Sequence, residues 1–245
     1  MWQTLLAVAF WVAVWQGLAV CIGHNGLFLA TPLQTVQTLW RLLPTADFWH
    51  RVGFSALRIL TGFVLAVTVG LLLGACGARW RWFGTLVGPV MQLIRAMPVA
   101  SFVILALLWV SGKNLSVIVS FTHVLPVVYA GTVGGIADTD PALLEMAKVY
   151  RLPLGKRLRY IWLPGMFPSF CENCIAAMGM CWKSGVSAEV IGLPDHSVGD
   201  ALYRAKITIS TPEVFAWTLV IVLLSATLST LAAWALRRAK RALCG

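Results

Sequence analysis

Few residues in this sequence are equipped for chemistry, and they fall in a small number of places. Cys171-Glu172-Asn173-Cys174 has CxxC spacing, and Met178 and Cys181 continue a sulfur-bearing stripe. Soft ligands on one face can hold Cu(I) or zinc. Cysteine and methionine serve equally as packing residues in apolar segments, and the βαβ pattern of a thioredoxin-like redox site is missing. His123 and His196 have no carboxylate or cysteine at ligand spacing, so both read as structural and no metal site is expected. Gly112-Lys113 is followed by asparagine and lacks the glycine of a Walker loop, so an ATPase site is not expected either. No nucleophile and base pair up at a workable spacing. The chain is expected not to be an enzyme.

Charge placement is more informative. Arg95, Glu172 and Lys183 stand inside long apolar runs, where a basic residue at the bilayer centre costs at least about 2.5 kcal/mol. Glu172, Ala176, Gly179 and Lys183 recur at intervals of four, three and four, a polar and small stripe on one side of a helix. Glu172 and Lys183 lie about 16 Å apart along such a helix and cannot pair with each other. Two readings stay open. Each charge has a structural partner on a neighbouring helix, such as Glu189 or a backbone carbonyl, or the stripe and Arg95 line a translocation pathway.

The elements that must position these residues are membrane helices. The 245 residues are 59% hydrophobic and 11% charged, with a mean hydropathy of +0.83, where a soluble domain averages roughly 25% charged. A bilayer needs about 20 apolar residues per helix. Six stretches qualify, at 3–22, 59–78, 83–110, 115–136, 167–190 and 214–236. The third contains Arg95 and Pro98 and is read as one kinked span. The first twenty-two residues lack the basic start and cleavage site of a signal peptide and are kept as a span. Gly62, Ala66, Gly70 and Gly74 put small residues along one stripe of the second span, suited to close helix packing. The fold class expected is all-α, a polytopic membrane bundle of about six transmembrane helices in a single domain over 1–245. Within it, 1–50 hold the first span and an extracytoplasmic segment, and 51–245 the core.

The formal charge of +10 sits in short clusters between the spans, without the aromatic-basic surface of a nucleic-acid module. Eleven of the nineteen Lys and Arg fall on one face: after the second span, in the loop after the fourth, and after the sixth. By the positive-inside rule that face is cytoplasmic, with both termini on it.

The segment 139–168 is too long for a bundle connection, which usually runs about 2–8 residues. Its pattern is helical. Asp138 or Thr139 can cap a helix with Leu143, Leu144, Ala147 and Tyr150 near one face, Pro153 ends it, and a short helix from Leu154 leads to Leu163-Pro164. That suits a docking surface. Glu145-Met146-Ala147, followed by Ile161-Trp162-Leu163-Pro164, resembles the EAA loop of permease subunits of binding-protein-dependent ABC importers. Met146 replaces that motif's second alanine, and Arg151 stands where it has glycine. Arg95-Ala96-Met97-Pro98, Trp182-Lys183-Ser184-Gly185, Ala188-Glu189-Val190-Ile191-Gly192 and Thr211-Pro212-Glu213 are similar to the nitrate, sulfonate and taurine branch.

The resemblance implies a type I ABC importer permease in a bacterial inner membrane. Its partners would be a second permease copy, a cytoplasmic ABC ATPase dimer that binds ATP and magnesium, and an extracytoplasmic solute-binding protein. It implies that Glu145, Ala147, Tyr150, Arg151 and Gly155 form the ATPase-coupling element. The reading of the charges in which Arg95, Glu172, Gly179 and Lys183 line the pathway is in keeping with the solutes of that branch, small anionic or polar molecules such as a sulfonate, taurine or nitrate. A pyrimidine or vitamin precursor is the alternative solute. An ion-coupled secondary transporter is the alternative class, but inverted repeats and intramembrane acid pairs are not evident.

Overall fold

Helix boundaries follow the local stop signals of the sequence. The computed structural model describes residues 2–22 and 29–244, and among them every regular element is helical. In chain order these are α1 (Trp2–Ile22), α2 (Pro32–Leu42), α3 (Ala46–Arg79), α4 (Arg81–Ala96), α5 (Val99–Ala106), α6 (Gly112–Ala137), α7 (Pro141–Val149), α8 (Leu154–Arg157), α9 (Leu163–Gly192), α10 (Val198–Ile207) and α11 (Thr211–Cys244). Cys244 ends α11, but its side chain lies outside the described residues, as do those of Lys240 and Ile22.

Four of these helices, α1, α3, α6 and α11, are long and apolar enough to cross a membrane. The expected third span divides. Pro98 disfavours helical backbone at the residue before it, and Met97 is extended at φ −69°, ψ 130°, so α4 stops at Ala96. The chain restarts as α5 at an angle of 102° to α4. This is a broken pair rather than one kinked helix, and taken as one span it brings the count to five. The expected fifth span is α9, whose 30 residues make a helix about 45 Å long. It is long enough to cross a membrane but less apolar than the other four, with Glu172, Asn173, Lys183 and Glu189 along it. Its inner face, including Cys174, Cys181 and Trp182, is buried in protein.

α6 sits between α3 and α9. The small-residue stripe of α3 faces α6: a Cβ on Gly62 would lie 2.5 Å from the Val117 carbonyl oxygen, and one on Gly74 2.6 Å from Thr132 Cβ. Glycine here is a condition of the helix spacing. Trp182 of α9 is fully buried and donates its indole N–H to the Ile221 carbonyl of α11 at 3.0 Å. Trp15 of α1 stacks on Phe215 of α11 with ring centroids 5.6 Å apart. The remainder of α1 is almost wholly exposed, as a lipid-facing helix is.

α2 was not among the expected elements. Thr31 and Gln34 form a reciprocal capping box with Pro32 in the first turn, a signature that marks a helix start. Phe48, Val198 and Trp217 form a small core where α3, α10 and α11 meet, with Leu39 and Leu42 of α2 against it.

Candidate functional site

The long loop is built of helices, as its pattern predicts, with different caps. Asp140, not Asp138 or Thr139, is the N-cap of α7: its carboxylate accepts the Ala142 N–H at 2.9 Å, and Pro141 occupies the first turn. Thr139 is buried behind it. At the other end the Leu152 N–H reaches the Ala147 carbonyl at 3.0 Å and the Arg151 N–H reaches the Lys148 carbonyl at 3.1 Å. This is a Schellman cap, which requires a left-handed residue at the position of Arg151. Arg151 has φ 48°, which gives a physical reason for glycine there in the resembled motif. A non-glycine left-handed residue costs roughly 1–2 kcal/mol. Arg151→Gly is therefore expected to stabilise the loop by about 1 kcal/mol, read as slower amide exchange at Leu152.

The second half of the loop runs straight into α9. After α8 the backbone widens into a π turn, 158–162, in which the Leu163 N–H bonds the Leu158 carbonyl. Pro164 follows directly. It has no N–H for the Tyr160 carbonyl and its ring crowds that turn, so the widening accommodates it.

On this scaffold the predicted coupling residues take different positions. Glu145, Tyr150, Arg151 and Gly155 are exposed, and Gly155 has open space around it. Ala147 is fully buried within its own chain, with its carbonyl also accepting from the Arg157 guanidinium at 3.4 Å. Leu143, Met146, Val149 and Tyr150, at helical intervals, and Leu154 beyond the turn are all exposed. Together they form an apolar face on an otherwise basic loop.

Within the bundle, Glu172, Ala176 and Lys183 are exposed and Gly179 is half-buried, all on the outer face of α9. Gly179 is adjacent to Ser229 of α11: a Cβ there would lie 3.4 Å from its hydroxyl. Lys183 is two residues from Gly185, which packs on Ile59 and Ser120 deep in the bundle. Arg95 is exposed in the last turn of α4, ahead of the Met97-Pro98 break. Among the described residues no ion pair involves Arg95, Glu172 or Lys183.

Glu189 is not a partner of Lys183. Fully buried, it accepts on Oε2 from the Ser55 hydroxyl at 2.7 Å and from the Gly199 N–H at 3.3 Å. Ser55 Oγ in turn accepts the Val198 N–H at 2.9 Å. The start of α10 is thus fastened to α3 and α9. Asp200 adds a second tie, accepting from Arg51 at 2.9 Å and Arg204 at 2.8 Å, with Arg51 also on Asp47. Sequence reasoning missed these networks, although a buried acid in a membrane helix is itself a signal for a partner. The sulfur stripe faces the core, with Cys181 Sγ directed at the Ile59 carbonyl at 3.6 Å. His123 Nδ1 lies 3.0 Å from the Val119 carbonyl, and His196, at φ 57°, packs its ring on His50.

The chain is similar to known proteins over most of its length. Residues 52–243 match the family described as binding-protein-dependent transport system inner membrane component. The putative aliphatic sulfonates transport permease protein SsuC of Bacillus subtilis is 26% identical over 214 residues, covering 86% of this chain and 77% of that protein. The nitrate import permease protein NrtB of Synechococcus elongatus is 23% identical over 245 residues, covering 94% and 86%. A chain from the crystal structure of an amino acid ABC transporter with histidines superposes with a TM-score of 0.50 at 21% identity, covering 79% of this chain and 99% of that one. The last likeness bears on the fold alone. With the family match spanning most of the helical bundle and the loop, this chain belongs to the binding-protein-dependent inner membrane components, the permease subunits of ABC importers.

Proposed function

We propose that this chain, paired with a second copy of itself, forms the pathway of an ATP-driven importer for a small anionic or polar solute of the sulfonate, taurine or nitrate kind. The observation that carries the reading is the outer face of α9. Glu172 and Lys183 are exposed there without an ion-pair partner among the described residues, in a helix embedded in a spanning bundle. Hydrocarbon is a costly surrounding for such groups, whereas a wet pathway between two copies receives them. Lys183 and Arg95 would then favour an anion, loosely enough for it to leave. The loop 139–168 would lie on the cytoplasmic side with both termini. There Glu145, Tyr150, Arg151 and Gly155 meet the ATPase subunits, which bind ATP and magnesium, and Ala147 holds the docking helix to the permease. A solute-binding protein would deliver the solute from the other side.

Uptake of labelled sulfonate, taurine and nitrate by proteoliposomes holding the assembled importer tests this. ATP, not an ion gradient, is expected to drive it. Lys183→Met and Arg95→Met are each expected to slow uptake about tenfold, ~1.4 kcal/mol, with assembly and ATPase activity retained. Unchanged uptake in both variants would return these cations to a structural role.

A further inference from the structure

We propose that the cavity at the root of the loop binds an anionic phospholipid, with an acyl chain inside and the phosphate on Arg79. The cavity, about 530 Å³, lies where the ends of α3 and α6 meet the π turn and the start of α9. That volume is within the range of about 300–1,000 Å³ typical of ligand sites. Its walls are apolar, with Leu72, Ala75, Cys76, Ile136 and Trp162 among them. Leu72 and Leu158 on its lining are well exposed, so the slot opens sideways from the bundle. Arg79 and Trp80 stand at the same opening, where α3 ends.

The level of this opening selects the ligand. Tryptophans gather at the boundary between hydrocarbon and water, and Trp80 and Trp82 are both exposed here. No acid pairs with Arg79 among the described residues. An apolar slot with a free guanidinium at its mouth, at the edge of a span, fits an amphiphile with a hydrocarbon tail and an anionic head. The bilayer supplies that molecule. Free phosphate would leave the apolar walls unused, and a zwitterionic lipid would gain less from Arg79. Leu158 and Trp162 belong to the π turn, so a bound lipid braces the loop's second half against α3. Such a lipid needs only that α3 and α6 span a membrane, whatever the solute, the ATPase or the sidedness.

Native mass spectrometry of the full-length permease in neutral detergent, titrated with phosphatidylglycerol, phosphatidylcholine or inorganic phosphate, tests it. One phosphatidylglycerol per chain should be retained in preference to phosphatidylcholine, and phosphate should not be retained. Arg79→Gln, a change at an exposed residue, should lower phosphatidylglycerol retention about fivefold, as loss of ~1 kcal/mol per surface cation gives. Leu72→Trp, filling the slot, should lower retention of both lipids. Equal retention of the two lipids by the native chain, or no effect of either substitution, would overturn the proposal. Retention of phosphate to the same extent would reduce the site to an ion contact. A photo-crosslinker at position 76 that captures a second permease copy instead of lipid would assign the slot to a protein helix.

Discussion

Glu189→Ala should destabilise the permease by about 2–6 kcal/mol, the cost of two buried donors left without an acceptor. Its carboxylate is the acceptor for Ser55 and Gly199 in a site with no exposure. Alanine would leave both donors unsatisfied, at about 1–3 kcal/mol each, and open a cavity beneath α10. The Arg58 guanidinium, stacked on the Phe54 ring at 3.8 Å, is also within electrostatic reach of Glu189. Glu189→Gln keeps the shape and one acceptor oxygen, so about 1 kcal/mol is expected for it. Thermal unfolding of the purified chain gives the size. Amide exchange at Val198 and Gly199 gives the place, and it should accelerate in Glu189→Ala before any global unfolding. If Glu189→Ala melts with the native chain and those amides stay protected, the fastening of α10 does not depend on this acid.

That network shows where sequence reading stopped. The apolar runs, the four-residue stripe of α3 and the helical loop are local patterns, set by periodicity and breakers within one turn or two. The structure keeps them. The stripe of α9 from Glu172 to Lys183 was legible for the same reason, and it does lie on one face. Pro98 announced a break, but the 102° angle depends on how α5 packs against α9. Ser55 and Glu189 are 134 positions apart, and nothing local in either segment names the other. The direction of Ala147 was hidden too. Periodicity placed Leu143, Leu144, Ala147 and Tyr150 near one face, yet only packing decides that Ala147 turns inward and Leu143 and Tyr150 outward.

That orientation decides which substitution reports on the ATPase. A charge at Ala147 would be buried inside the permease, so Ala147→Asp should cost several kcal/mol of loop stability. Loss of coupling in that variant would not locate the interface. Tyr150 is the better probe. The residue is 73% exposed, and as the C-cap of α7 it donates its backbone N–H to Met146, a bond that survives any side-chain change. Lysine there suits the negative end of the helix, so the stability of the isolated permease should move by no more than about 0.5 kcal/mol. If the face of Leu143, Met146, Val149 and Tyr150 is covered by an ATPase groove, an ammonium at its edge loses water without gaining a partner. Replacing an aromatic anchor in this way typically costs about 2–4 kcal/mol. Tyr150→Lys should therefore weaken ATPase association about a hundredfold, ~2.7 kcal/mol, with the permease melting as before. Binding of purified ATPase subunits to the permease in nanodiscs, measured beside its thermal unfolding, separates the two effects. Native-like binding by Tyr150→Lys would move the contact off this face of α7, and a fall in melting temperature equal to that of Ala147→Asp would show that Tyr150 serves the loop rather than the partner.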